Sequence, residues 1–141
     1  MLKNLAFIIV DDDPLNNLLC SMTIEKYLHT DRVLAFTLPD EALAFIQTTY
    51  NANSDPTILF LDINMPIING WEFLEEYENF SGEIKNRIII YLLSSSLYHG
   101  DISRAAANKN VKDFITKPLD GQTILKIAES WTHNPNMGQP K

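Results

Sequence analysis

Cysteine occurs once in the 141 residues, at Cys20, which excludes an internal disulfide, a paired-thiol redox centre and a thiolate metal cluster. The lone thiol reads as a small buried apolar residue on a helix. Long apolar runs are missing as well, since none reaches the roughly 18 residues a bilayer-spanning helix needs. Lys and Arg number 11 against 18 acids, a formal charge of −7, and no dense basic stretch is present to neutralise a nucleic-acid backbone. Glycine is sparse, with five residues and no G-x-G-x-x-G, which argues against a dinucleotide or flavin site. The N-terminus runs straight into a strand-like segment with no apolar stretch and cleavage site, so a soluble cytoplasmic protein without membrane contact is expected.

What is present is an alternation of short apolar runs and helical patterns. Leu5 to Val10, Ile58 to Leu61 and Ile88 to Leu93 are continuous apolar runs, as suits parallel strands covered on both faces. Val33 to Thr37 and Asp113 to Thr116 read as a second and a fifth strand. Between them, Asp13 as N-cap and Pro14 at N1 open a helix to about Leu28, with Leu15, Leu18, Leu19 and Met22 forming its apolar stripe. Further helices are predicted from Pro39 through Ile46, from Gly70 to about Glu78, from Asp101 to Asn108 and from Gly121 to Trp131, the last aligning Ile124, Ala128 and Trp131. Five β-α units predict an α/β, doubly wound (βα)5 three-layer sandwich in a domain spanning 1–131, with 132–141 as a flexible tail.

Open sheets of this kind carry their chemistry beyond the carboxyl ends of the strands. Here the first strand ends in Asp11-Asp12-Asp13, the third in Asp62, the fourth in Ser94-Ser95-Ser96 and the fifth in Lys117-Pro118. Carboxylates gathered there repel one another unless a cation or a shifted pKa relieves them. A hard divalent cation held by a few oxygens, Mg²⁺ above all, is the simplest remedy, and no His or Cys spacing suggests zinc. An ionised Asp is also a competent nucleophile toward a phosphoryl group, with Mg²⁺ and Lys117 to neutralise the spread charge and Ser94 to donate to a phosphoryl oxygen. Taken singly these signals are weak, since Asp13 reads equally as a helix cap and the serines as loop. Their joint placement on the strand ends of one sheet is what carries the functional reading.

At this point Ile8-Ile9-Val10-Asp11-Asp12-Asp13, Leu61-Asp62-Ile63-Asn64-Met65-Pro66 through Asn69-Gly70, and Ile115-Thr116-Lys117-Pro118 resemble the receiver domain of two-component response regulators, over roughly residues 4 to 131. The resemblance implies a flavodoxin-like fold with parallel sheet order 2-1-3-4-5, two helices on one face and three on the other. It implies Asp62 as phosphoacceptor, Asp11 and Asp12 with Asp62 as holders of Mg²⁺ (or Mn²⁺), Asn64 as donor of its backbone carbonyl to the metal, and Lys117 as partner of the phosphoryl group. The switch hydroxyl aligns best with Ser94, though counting back from Lys117 leaves Ser95 open. The Lys117-Pro118 peptide is commonly cis in this family. Phe114 stands where a fifth-strand aromatic, more often Tyr, rotates in the switch, and Phe lacks its hydroxyl; a plain core role is the alternative.

The chain is similar to stand-alone receivers of the chemotaxis type. The resemblance implies a sensor histidine kinase or phosphotransfer protein as donor. It also implies a downstream protein bound through the fourth helix, fifth strand and fifth helix, in a monomer or a phosphorylation-dependent dimer. Such a domain catalyses only its own phosphorylation and dephosphorylation. Two competing readings are a receiver-like scaffold that has lost phosphorylation and a metal-dependent aspartyl phosphohydrolase. The first would lack strand-end acids or the lysine, and the second needs a proton donor where Asn64 stands. His29, His99 and His133 read as surface residues rather than phosphate carriers. Trp71 and Trp131 read as core anchors, with Trp71 placed to report on the site optically.

Overall fold

The computed structural model describes residues 5–132 apart from residue 97. The apolar runs are strands because each is covered on both sides. In β1 (Ala6–Val10), Ile8 and Val10 point to one face and Phe7 and Ile9 to the other. β3 (Thr57–Asp62) is buried along its whole length, and β4 (Ile88–Ser94) nearly so. With β2 (Val33–Phe36) and β5 (Val111–Thr116) they form one parallel five-stranded sheet in the order β2-β1-β3-β4-β5, the expected flavodoxin-like arrangement.

α1 (Pro14–Leu28) and α6 (Gly121–Thr132) pack on one face, where Cys20, Ile24, Leu28, Ile124, Ile127 and Trp131 meet Phe7, Ile9, Phe60 and Leu93. α2 (Pro39–Thr49), α3 (Gly70–Glu78), the single turn α4 (Gly82–Lys85) and α5 (His99–Ala107) cover the other. Trp131 donates its indole N–H to Tyr91 Oη at 2.8 Å, closing α6 onto β4. Both tryptophans are buried, as expected of core anchors. The described part of the chain holds no helix long and apolar enough to cross a membrane.

Three local expectations need correction. The stripe Leu15, Leu18, Leu19 and Met22 on α1 is exposed, each residue by more than half, whereas Asn17, Cys20, Ile24 and Leu28 face the sheet. The helix is turned this way because Asn17 Nδ2 donates to Asp11 O and Phe36 O at the ends of the first two strands, at 2.9 and 3.3 Å. α4 is an added turn, capped by Ser81 and tied to α3 by Lys85 Nζ on Glu78 O at 3.0 Å. β5 starts at Val111 rather than Asp113, and a bulge opposite Ile90 and Tyr91 interrupts the alternation at Lys112. Thr132 closes α6; His133 and the rest of the expected tail lie outside the described residues.

Candidate metal and phosphoacceptor site

The strand order brings β1, β3, β4 and β5 to the same end of the sheet, and their terminal residues converge there. One carboxylate oxygen from each of Asp11, Asp12 and Asp62 lies within 4.8 Å of the other two. Asp11 and Asp62 are buried and Asp12 is exposed, so the cluster opens to solvent on one side. Lys117 Nζ sits between the two buried acids, 2.9 Å from Asp11 Oδ2 and 3.3 Å from Asp62 Oδ1. The Lys117-Pro118 peptide is cis, as expected.

The loop geometry that presents Asp62 depends on Gly70. A Cβ there would lie 2.8 Å from Ile63 Cα and 2.9 Å from Asp62 O, so only glycine lets the start of α3 rest directly on the end of β3. Gly70 N donates to Ile63 O at 2.8 Å, and a capping box between Asn69 and Glu72 fixes the helix start beside it. Asn64 is exposed, and its backbone N–H donates to Asp62 Oδ1 at 3.3 Å.

The electrostatics follow from that crowding. Burial, and then the charge of Asp11, raise Asp62 from 3.8 to about 6, against the lowering pull of Lys117 and the Asn64 N–H. Burial alone would lower Lys117, but its hydrogen bond to Asp11 and the charges of Asp62 and Asp11 outweigh it, and its pKa is raised. Lys117 is therefore a firm cation shared by two anions. Three carboxylates against one ammonium leave a net negative cradle of hard oxygen donors, which fits Mg²⁺ keeping several of its waters. Cys20, nearly two turns into α1 behind this site, is pushed to about 11 by burial and by Asp11, and is an inert thiol.

Residues 7–129 match the model of the response regulator receiver domain. The chain belongs to this receiver family. The receiver is 28% identical to a response regulator receiver protein of Dyadobacter fermentans DSM 18053, over 92% of this chain and 99% of that one, with TM-score 0.85. It is 29% identical to a two-component response regulator of Cytophaga hutchinsonii, over 92% and 98% of the two chains, with TM-score 0.83. A curated relative, protein-glutamate methylesterase/protein-glutamine glutaminase 2 of Bordetella avium (strain 197N), is 28% identical over 120 residues, 85% of this chain. The receiver spans 32% of that relative's length.

Of the residues singled out from the sequence, Asp11, Asp12, Asp62 and Lys117 meet in one cluster. Ser94 is fully buried at the end of β4, beside Thr116 in the sheet, and its backbone oxygen accepts from Lys117 N at 2.7 Å. Its hydroxyl is occupied locally, donating to Ser96 O at 3.0 Å and accepting from Ser96 N at 3.2 Å. Ser95 is exposed. Phe114 is half-buried against the core on the α2–α5 side of the receiver. His29 and His99 are exposed, the former ending α1 in a left-handed conformation.

Sequence reasoning missed two residues that shape this region. Asn16 donates to Asp11 Oδ2, a role that an asparagine on a helix does not announce. Arg104 of α5 stacks over Trp71 of α3, 4.4 Å from the ring centroid, and so connects the start of α3 to α5.

Proposed function

We propose that this receiver accepts a phosphoryl group on Asp62 from a histidine kinase or phosphotransfer protein, with Mg²⁺ at the acidic cluster, and relays the event by phosphorylation-dependent protein binding. The observation that carries the reading is Lys117 held between Asp11 and Asp62 inside a cluster of three carboxylates. An acid with its pKa at about 6 is ionised and nucleophilic near neutral pH. Mg²⁺, when bound by Asp11, Asp12, Asp62 and the Asn64 carbonyl, supplies positive charge for the phosphoryl oxygens. An Asp62 oxygen attacks phosphorus, the bond from phosphorus to the donor imidazole nitrogen breaks, and the imidazole leaves with that electron pair. Lys117, held beside Asp62, neutralises charge on the phosphoryl group. The reaction is the domain's own modification, so the chain acts as a regulator in the cytoplasm rather than as an enzyme on an external substrate.

The same geometry suggests how the event is read. On this reading the Ser94 hydroxyl, at rest bonded to Ser96, re-aims toward the phosphoryl group, and Phe114, half-buried against the core, then repacks by shape alone. α5 is lightly anchored, burying only Ala105 among its described residues. A shift of α5 relative to β5 and α6 would change the surface offered to a downstream partner. The donor docks through a helix laid on the exposed apolar stripe of α1, because that stripe starts one turn from Asp11 and Asp12 and a donor must reach Asp62.

The test is intact-mass analysis after incubation with a small phosphoryl donor and Mg²⁺, with and without chelator, for wild type and Asp62→Asn. One added phosphoryl group that requires both the metal and Asp62 supports the reading. An adduct persisting on the Asn variant assigns the wrong carboxylate, and no adduct on a folded, Mg²⁺-binding wild type favours a binding scaffold.

A further inference from the structure

Asp11 has no exposed surface, so its carboxylate depends on protein donors for its orientation. Asp13 N donates to Oδ1 at 2.9 Å. Oδ2 receives two donors, Lys117 Nζ at 2.9 Å and Asn16 Nδ2 at 2.5 Å. Lys117 is also engaged with Asp62. An ammonium drawn toward a phosphoryl group weakens its hold on Asp11, and Asn16 is then the side chain left on that oxygen.

Asn16 is well placed for this. It lies on the first turn of α1, whose next residue, Asn17, donates to Asp11 O and Phe36 O. Two consecutive amides thus grip one aspartate, the first by its carboxylate and the second by its backbone carbonyl. Asn17 does so while its own Oδ1 is buried with no partner, a cost borne beside the site. Asparagine is a poor helix former, and leucine at 16 would favour the helix more. An amide also has the useful property of being neutral: it orients the carboxylate without cancelling the charge that a cation needs.

We infer that Asn16 is a positioning residue, whose amide keeps Asp11 in one fixed orientation toward Mg²⁺ while Lys117 passes to the phosphoryl group. The inference rests on the phosphoacceptor reading and deepens it.

The test is calorimetric Mg²⁺ titration of the full chain as wild type, Asn16→Leu and Asn16→Ala, with thermal melts in chelator alongside. Removing a partner that orients a metal ligand weakens affinity by about tenfold or more. Both variants should show that loss, with Asn16→Leu, similar in bulk and better in a helix, melting closer to wild type than Asn16→Ala even though each loses a donor to a buried carboxylate. A purely structural role would lower the melt and leave the titration unchanged. Mg²⁺ affinity of Asn16→Leu and Asn16→Ala within about twofold of wild type, far short of that loss, overturns the inference. A wild type that binds no Mg²⁺ removes the reading on which it rests, and the inference with it.

Discussion

Ionised Asp62 destabilises the metal-free receiver, so Asp62→Asn should be more stable than wild type. Burial and the neighbouring Asp11 lift the Asp62 pKa from 3.8 to about 6 in the folded protein. At about 1.4 kcal/mol per unit, that rise of roughly two units corresponds to about 3 kcal/mol. The sign follows from proton counting. Between the two pKa values the native state holds a proton that the unfolded chain has released, so stability falls as pH rises through that window and is lowest above about 6. Asparagine keeps the shape and cannot ionise. In chelator near pH 7 the variant should therefore melt roughly 6 to 12 °C above wild type, as expected for about 3 kcal/mol in a domain of this size. The gap should close as the pH falls toward 4, where wild-type Asp62 is itself protonated. Mg²⁺ should narrow it from the other side, by stabilising wild type more than the variant. Thermal unfolding followed by circular dichroism across this pH range measures all three. A variant that melts at or below wild type near pH 7, or a gap that widens on acidification, would refute the reasoning.

Lys117→Ala leaves two buried carboxylates without their shared cation, and removing one partner of a buried pair costs about 3 to 5 kcal/mol. Denaturant unfolding in chelator should show a loss of that order, partly restored by Mg²⁺, together with slowed phosphorylation; unchanged stability would remove Lys117 from the site. Leu18→Glu, on the exposed α1 stripe, should slow transfer from a kinase or phosphotransfer protein while leaving phosphorylation by a small donor within about twofold, since an exposed substitution barely alters the fold. Equal loss with both donors would show that α1 serves the site rather than a partner. Ser94→Ala should accept a phosphoryl group yet lose the phosphorylation-dependent change at the partner face, whereas Ser95→Ala, exposed in the fold, should behave as wild type; the reverse pattern in a binding assay would move the switch to Ser95.

The strands were legible because burial on both faces leaves an unbroken apolar signature, as in Ile58 to Leu61. The acids and Lys117 were legible because parallel topology sends every strand end to one edge, so residues 106 apart in sequence meet there. The face of α1 was not. Apolar residues lie around the whole helix, and its rotation is decided by Asn17 reaching Phe36 O, a contact 19 residues distant that periodicity does not encode. The α4 turn is too short to show a period and exists because Lys85 reaches back to Glu78. Asn16 escaped notice for a related reason: a polar residue near a helix start reads as solvent-facing until the strand beneath it is in place. The partner of the Ser94 hydroxyl likewise depends on a turn conformation that a run of three serines leaves open.

The lysine lodged between Asp11 and Asp62 also sets how such a protein can wait. Without that lysine, an acidic site of this kind would lose stability whenever metal was scarce, and its readiness would follow the metal supply. With an internal counter-ion the idle protein is self-sufficient. On the phosphoacceptor reading, the side chain that steadies it at rest is also the one that a phosphoryl group would draw away, so that keeping and changing state would fall to a single residue and the displacement of one ammonium group.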